Sequence, residues 1–294
     1  MNHDHFIAAP GTTIRLEDFD PGFTGHYQNK DEASAKLRKD IKRLRKYQDV
    51  LYSQHTYALL VVLQTMDTAG KDGIIRHVMS GVNPQGTQLH SFKAPSAEEL
   101  DHDFLWRSTR ALPERGWIGI FNRSYYEEVL VVRVHPEVLA LERLPAGTQG
   151  TDIWHHRFDE INSFEKYLVR NGIIVLTFFL NLSKGEQKRR LLARINQPEK
   201  NWKFSRADAK ERIYWDDYMN AYEDMCNHTS TEHAPWYIIP ADNKWFTRTV
   251  VADVIVEKIK SLRLSYPVAG GEHRQHLLEA RKLLDNEASE GVGP

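Results

Sequence analysis

The sequence predicts an α/β protein: a parallel sheet with helices packed on both of its faces. Three observations predict it. Apolar runs without polar alternation lie near residues 58–63, 117–121, 173–180 and 236–239, the pattern of strands buried on both faces. Segments of helical period separate them, so each strand is followed by a crossover and not by a hairpin. Two polar clusters, around Lys71 and around Arg123, fall where apolar runs end, and that is the edge where such sheets gather ligands.

Taken in order, residues 1–29 are rich in Gly, Pro, Asp and Phe without a period and read as an extended arm over the surface. From Lys30 to Tyr52 a helical stripe carries Leu37, Ile41, Leu44, Tyr47 and Leu51. Its other face is basic, with eight Lys/Arg against three Asp/Glu between Lys30 and Lys46, and could serve as a rail for a polyanion. The run Ala58–Leu63 enters the turn that holds Asp67, Ala69, Gly70, Lys71, Asp72 and Gly73. A helix from about Ala69 to Met79 follows and ends near Gly81, after which Val82-Asn83-Pro84 starts a connection. Ser96–Glu99 reads as a capping box opening a helix with Leu100, Phe104 and Ala111 on one stripe. The strand Trp117–Phe121 runs straight into Asn122-Arg123-Ser124-Tyr125-Tyr126-Glu127-Glu128.

A helix from about Asp152 to Arg170 stops at Gly172, and the strand Ile173–Leu180 follows. Ser183–Glu186 is a second capping box, opening a helix with Arg189, Arg190 and Arg194. Between Glu186 and Arg212 nine Lys/Arg stand against four Asp/Glu, broken by Pro198, so residues 186–212 are expected to form a basic lid. An aromatic helix with Tyr214, Trp215, Tyr218 and Tyr222, a last strand at Trp236–Ile239 and a helix from Lys244 to Leu264 complete the body. The expected organisation is an arm (1–29), one body (30–267) and a mobile tail (268–294) with one short amphipathic piece, Leu277–Leu284.

The 294 residues suffice to bury a core, and 39 Lys/Arg against 40 Asp/Glu leave no global field that would advertise nucleic acid or membrane. Any anionic partner must be caught by local clusters. A single cysteine, Cys226, excludes an internal disulfide and suits a reducing interior. With no signal-peptide layout and no long apolar run, a cytoplasmic protein is expected. His155-His156 and Asp101-His102-Asp103 lack the partner set of a zinc site.

The loop after the first strand is built as phosphate-binding loops are: a strand delivers it, backbone N–H groups ring the anion, and a helix N-terminus adds its dipole. Against G-x-x-x-x-G-K-[ST], Gly70 and Lys71 fit. Thr65 stands in place of the first Gly, and Asp72 in place of the Mg²⁺-binding hydroxyl. A plain strand–turn–helix joint remains the alternative. Asp67, four residues before Lys71, could replace the missing hydroxyl as a Mg²⁺ ligand, shared with Glu127. Transfer of a phosphoryl group needs aligned oxygens and positive charge around phosphorus, and Lys71 and Arg123 offer that charge at one edge.

The chain resembles the second family of polyphosphate kinases, which have a three-layer α/β/α P-loop kinase fold with a helical lid. The resemblance rests on Met66–Gly73, Val82-Asn83-Pro84, Phe104-Leu105-Trp106-Arg107, Phe121–Glu127, Pro198–Lys203 and Ala234-Pro235-Trp236, in that order along the chain. It implies a Mg²⁺-dependent transfer (Mn²⁺ could substitute) of the terminal phosphate of inorganic polyphosphate to a nucleotide, reversible in principle. On that likeness Asp67, Lys71, Arg123 and the lid arginines Arg190 and Arg194 are the catalytic candidates. Ala69, Gly70, Asp72, Gly73, Arg76, Lys200 and Lys203 are candidates for phosphate binding, and Asn83 and Arg133 for the acceptor. Asn122 stands where many members have Asp. The pair Asn122 and Glu127 resembles the subgroup that accepts both AMP and ADP, with ATP as a product. The rivals are an ATP-dependent nucleotide kinase and a non-catalytic polyanion-binding module with a degenerate loop. A homo-oligomer, dimer or tetramer, is expected, with Trp154 and Trp202 as aromatics for its contacts.

Overall fold

The computed structural model describes residues 1–148, 150 and 152–290, with side chains placed as far as residue 286. In chain order the elements are α1 (Lys30–Gln54), β1 (Ala58–Gln64), α2 (Lys71–Val78), β2 (Thr87–Ser91), α3 (Ala97–Leu100), α4 (Trp106–Arg110) and β3 (Ile118–Asn122). Then follow α5 (Glu127–Val134), α6 (Pro136–Leu139), α7 (Ile153–Arg170), β4 (Ile173–Asn181), α8 (Lys184–Asn196), α9 (Arg206–Glu211), α10 (Trp215–Thr229), β5 (Trp236–Pro240), α11 (Lys244–Ser261) and α12 (Gly271–Glu290). Contacts divide them into two compact units, Met1–Leu264 and a second beginning at Ser265.

The first unit is a five-stranded sheet in the order β2-β3-β1-β4-β5, parallel throughout. All seven residues of β1 are buried, which its central place between β3 and β4 requires. One face packs under α1, α2 and α11, where Leu59, Val61, Leu63, Leu176, Phe178 and Val250 meet. The other lies under α5, α7 and α10, through Leu60, Val62, Phe121, Val175, Phe179 and Trp236. This is a three-layer α/β/α architecture, as the continuous apolar runs foretell.

The fifth strand, β2, is absent from the sequence reading, and its composition explains why. Thr-Gln-Leu-His-Ser has neither an apolar run nor alternation, because an edge strand needs to bury little, and Leu89 is exposed there. The capping box at Ser96 forms in both directions, Glu99 N–H to Ser96 Oγ and Ser96 N–H to Glu99, but the helix it opens ends at Leu100. The expected stripe is thus split between α3 and α4. At Ser183 the box is half made: the hydroxyl accepts from the Glu186 N–H, while the Glu186 carboxylate is held by Arg189 and Arg190.

The N-terminal arm is pinned to the body. Ile7 forms an antiparallel bridge to Tyr237 on β5, and Phe6 and Leu16 are buried. In the second unit, α12 spans twenty residues where the sequence suggests only a short amphipathic piece. No described helix is long and apolar enough to cross a membrane. Trp202 is exposed with Lys203 over its ring, whereas Trp154 is half-buried against the core and so is not a free surface aromatic.

Candidate active site

The parallel sheet puts the ends of β1, β3 and β4 side by side, with Leu63 level with Asn122 and with Phe178. The loop that leaves β1 is tied down at once. Thr65, in place of the first Gly of the phosphate-loop pattern, is buried and donates its hydroxyl to the Leu180 carbonyl at 2.8 Å, binding the end of β1 to the end of β4. Thr68 takes φ +74° and Gly70 φ +117°, and only the second is costless, because glycine has no Cβ to clash there. Gly70 then caps α2, whose first residue is Lys71. The Thr68 hydroxyl is buried without a partner among the described residues, an orphan donor inside the loop.

The lid holds this loop by its carbonyls. Gln187 donates to Asp67 O at 3.3 Å, and Arg190 donates from one terminal nitrogen to Thr68 O at 3.0 Å and Ala69 O at 2.9 Å. Since a trans peptide points N–H opposite to C=O, the N–H groups of Thr68 and Gly70 are turned away from α8, inward to the loop. The other terminal nitrogen of Arg190 donates to Ala241 O and Asp242 O, and its Nε to Glu186. All five guanidinium donors are used and the side chain is buried. Arg190 is therefore a brace between lid, loop and the β5–α11 turn, with no donor left for a phosphate. That corrects its expected part as a charge-neutralising lid arginine.

Arg123 does reach the loop. It takes a left-handed φ of +66° at the end of β3 and places its guanidinium between Asp67 Oδ1 (3.2 Å) and Glu127 Oε2 (3.5 Å). These carboxylates, Glu127 foremost, raise its pKa further. Gln64 donates to the second Glu127 oxygen at 3.0 Å. Lys71 has no ion-pair partner among the described residues. Burial, with Arg123 beside it, pulls its pKa down, opposed by Asp67, Glu127 and Asp72. The Asn122 amide donates to Asp72 at 3.5 Å, so amide and carboxylate meet where Asp at 122 would set two carboxylates together. Behind this edge the Tyr125 and Tyr126 hydroxyls both donate to Glu165 (2.6 and 2.8 Å), fixing the segment that carries Arg123 and Glu127. Burial lifts that carboxyl to about 7.

Asp67, Lys71, Asp72, Arg123 and Glu127 thus converge. Other candidates do not. Asn83 caps the turn before β2 and is bonded through its backbone to Gln48 of α1, at the starting end of the strands, away from the loop. Its place follows from α2, which carries the chain back down the sheet. Arg133 donates to Asp224 at 2.6 Å and joins α5 to α10. Arg194 is bonded within the lid, through one terminal nitrogen, to Asp208 and Lys203 O. Lys200 bonds Gln197 and Lys203 covers Trp202, while Arg76 is exposed on α2. Sequence reasoning missed Gln187 and Asp208, whose carboxyl is pushed up by burial and by Asp67. It also missed Lys244 and Arg248 on the first turns of α11, although a helix that starts at the end of β5 is at the same edge.

Among the described residues no three His, Cys, Asp or Glu side chains converge as a metal cage. The edge offers separate carboxylates beside a phosphate loop, the donor set of a hard cation that takes its other ligands from phosphate and water. Glu127 fits that part less well than Asp67, because Gln64 and Arg123 occupy both of its oxygens and the guanidinium lies between the two acids.

A cleft of about 170 Å³ opens from Arg123 and Glu127 towards Phe104, Arg107, Glu128 and Glu142. Burial and Glu142 push Glu128 up to about 8, against the pull of Arg157.

A glycine-lysine loop at the end of a central parallel strand, an arginine from the neighbouring strand end and a basic helical lid define a P-loop phosphotransferase. The chain belongs to the polyphosphate kinase 2 family, whose model matches residues 27–266. It is 54% identical over 280 residues to an ADP-polyphosphate phosphotransferase of Rhodopseudomonas palustris, covering 95% of this chain and 97% of that one. It is 41% identical over 263 residues to an AMP/ADP-polyphosphate phosphotransferase of Meiothermus ruber (89% and 94% covered). Among solved structures, polyphosphate kinase 2 from Arthrobacter aurescens superposes with a TM-score of 0.82 at 39% identity, over 93% of this chain and 98% of that one.

Proposed function

We propose that this protein transfers the terminal phosphate of inorganic polyphosphate to ADP, and to AMP, with ATP as the product from ADP. The observation that carries this reading is the Arg123 guanidinium set between Asp67 and Glu127, beside Lys71, at the mouth of the cleft. An acceptor in the cleft would present its last phosphate to that guanidinium. Its phosphate oxygen attacks the terminal phosphorus of the polymer. The P–O bond to the shortened chain breaks, with the electron pair staying on the departing phosphate oxygen. Lys71, Arg123 and the loop amides neutralise charge on the moving group, the main work of phosphoryl-transfer catalysts. The lid keeps water out.

Mg²⁺ is the ion this donor set suits: Asp67 and Asp72 would hold it, and it would supply positive charge to the phosphates. The names of the relatives support ADP, and one of them AMP as well. A degenerate, non-catalytic loop is the weaker reading, since Thr65 has a structural task and Lys71 is left unpaired.

Incubation with long-chain polyphosphate, Mg²⁺ and either ADP or AMP, without ATP, tests the proposal. ATP from ADP, and ADP from AMP, are expected. No transfer from polyphosphate, with transfer from ATP instead, would give the site to an ordinary nucleotide kinase.

A further inference from the structure

The match to the family model ends at residue 266, and α12 lies wholly beyond it. Its faces follow from its own sequence. At about 100° per residue, Leu277 and Leu284 point the same way, with Ala280 beside them, and form the middle of an apolar stripe. Leu278 and Leu283 flank the stripe, one on each side. Glu272, Gln275, Glu279, Lys282 and Asn286 fall on the opposite face. The four leucines are between 53 and 66% exposed, whereas Leu44 and Leu51 on the stripe of α1 are fully covered. Such a patch on one short helix marks an interaction surface.

The order of residues says which partner fits it. Counted outward from the point between Ala280 and Arg281, the helix reads as its own complement. Leu278 and Leu283 are equally far from that point, Leu277 and Leu284 likewise, and then His276 and Asp285. A twofold axis through it sets Leu277 against the partner's Leu284 in an antiparallel pair, and each contact occurs twice.

The charges agree with that direction. Arg274 and Asp285 lie on the same side of the stripe, and an antiparallel twofold brings like sides together. Arg274 then stands about 3 Å along the axis from the partner's Asp285, within reach of its guanidinium. Within one chain Arg274 makes no ion pair among the described residues, and Asp285 is matched by Arg281 at 3.6 Å. A parallel pair would bring opposite sides together. It would face Arg274 with the partner's His276, and Asp285 with no cation.

We propose that α12 is a self-association helix, pairing antiparallel with α12 of a second copy of this chain about a twofold axis near Ala280 and Arg281. The inference is independent of the phosphate site and of the substrate.

Sedimentation equilibrium of the full chain tests it, with Leu277→Glu and Leu284→Glu combined as the variant. Both positions are exposed, so the thermal midpoint should stay close to that of the parent. The parent assembly should dissociate at a concentration at least tenfold lower than the variant's. Arg274→Glu alone should raise the dissociation constant at least fivefold, and adding Asp285→Arg should bring it back to within about twofold of the parent. Direction is read by mild oxidation of single-cysteine additions, Cys226 being buried. Ala280→Cys should cross-link two chains. Gly271→Cys should not, because antiparallel pairing sets the two 271 positions almost a helix length apart. Equal dissociation of parent and leucine variant, or cross-linking at 271 in place of 280, would overturn the proposal. So would co-sedimentation of a parent that does not self-associate with anionic lipid vesicles, which would assign the leucines to a membrane surface.

Discussion

Arg123 is held in a left-handed conformation that costs a residue with a Cβ about 1 kcal/mol or more, and Thr68 bears the same strain across the site. Both are kept because their neighbours over-determine them: the Arg123 N–H donates to Leu63 O, and the Thr68 carbonyl is held by Arg190. Strain of this kind sets side chains where relaxed backbone would not. Lys71 is the side chain whose removal isolates the chemistry, as it makes no ion pair among the described residues. Lys71→Met keeps the length and removes the charge, so turnover of ADP with polyphosphate should fall about 1,000-fold or more, a barrier increase of about 4 kcal/mol. The denaturation midpoint should not drop, since a desolvated cation is lost. A variant that still turned over at a tenth of the parent rate would remove Lys71 from the mechanism. At this scale the sequence was legible where a residue's task is set by its neighbours in the chain. Asp67, Lys71, Arg123 and Glu127 lie together in the structure because loop and strand end are local. Asn83 and Arg133 were misplaced because their tasks are fixed by Gln48 and Asp224, 35 and 91 positions away.

Among the elements, α8 lies against the phosphate loop, where a lid was expected, and touches it through the loop carbonyls. Its charge turns towards the protein: Arg190 and Gln187 grip three successive carbonyls of the phosphate loop, and Arg194 closes the lid on itself through Asp208. Arg190→Lys separates the two possible tasks. A lysine keeps the positive charge, so a residue that only neutralised phosphate would keep much of its activity. It cannot reproduce a planar fork that serves four carbonyls. We expect a stability loss of about 2 kcal/mol and at least a tenfold fall in kcat with KM for ADP little changed, read by denaturant titration and initial rates. Retained kcat with retained stability would show that the brace is dispensable. Most elements were readable from hydrophobic period, which buried strands and amphipathic helices cannot avoid. What escaped was small or exposed: β2 at the edge and the break between α3 and α4, where no apolar pattern is required. Capping boxes marked helix starts correctly but not helix lengths.

For the whole molecule, the sequence announced parallel strands and two covered faces but not the order β2-β3-β1-β4-β5, because pairing depends on contacts between segments that share no local signal. Nor did it announce how the arm is fastened. A network of charges joins arm, α1 and α11. Asp253 is buried, bonded to Lys36, to His3 Nε2 at 2.9 Å and to the Met1 amino group at 3.0 Å, and Lys36 also reaches the buried Asp40. Arg43 continues the chain to Asp40 and Glu257. Burial alone would raise the Asp253 pKa. The bonds from His3, Lys36 and the amino group override it and hold the carboxyl well below the usual carboxylate range. The sign of the pH effect follows. A carboxyl with a depressed folded pKa binds fewer protons folded than unfolded, so its contribution is complete above the unfolded value near 4 and fades as pH falls through and below it. Asp253→Asn leaves Lys36 and its neighbours without that charge and should cost about 3 kcal/mol at pH 7. The parent should therefore lose stability steeply below about pH 4, while the variant, weaker at neutral pH, should lose less of it there. Urea titrations at pH 7, 5, 4 and 3 read both slopes. If the two curves fall in parallel through the acid range, the arm is held by its apolar contacts alone and the charge network is an ornament of the surface between α1 and α11.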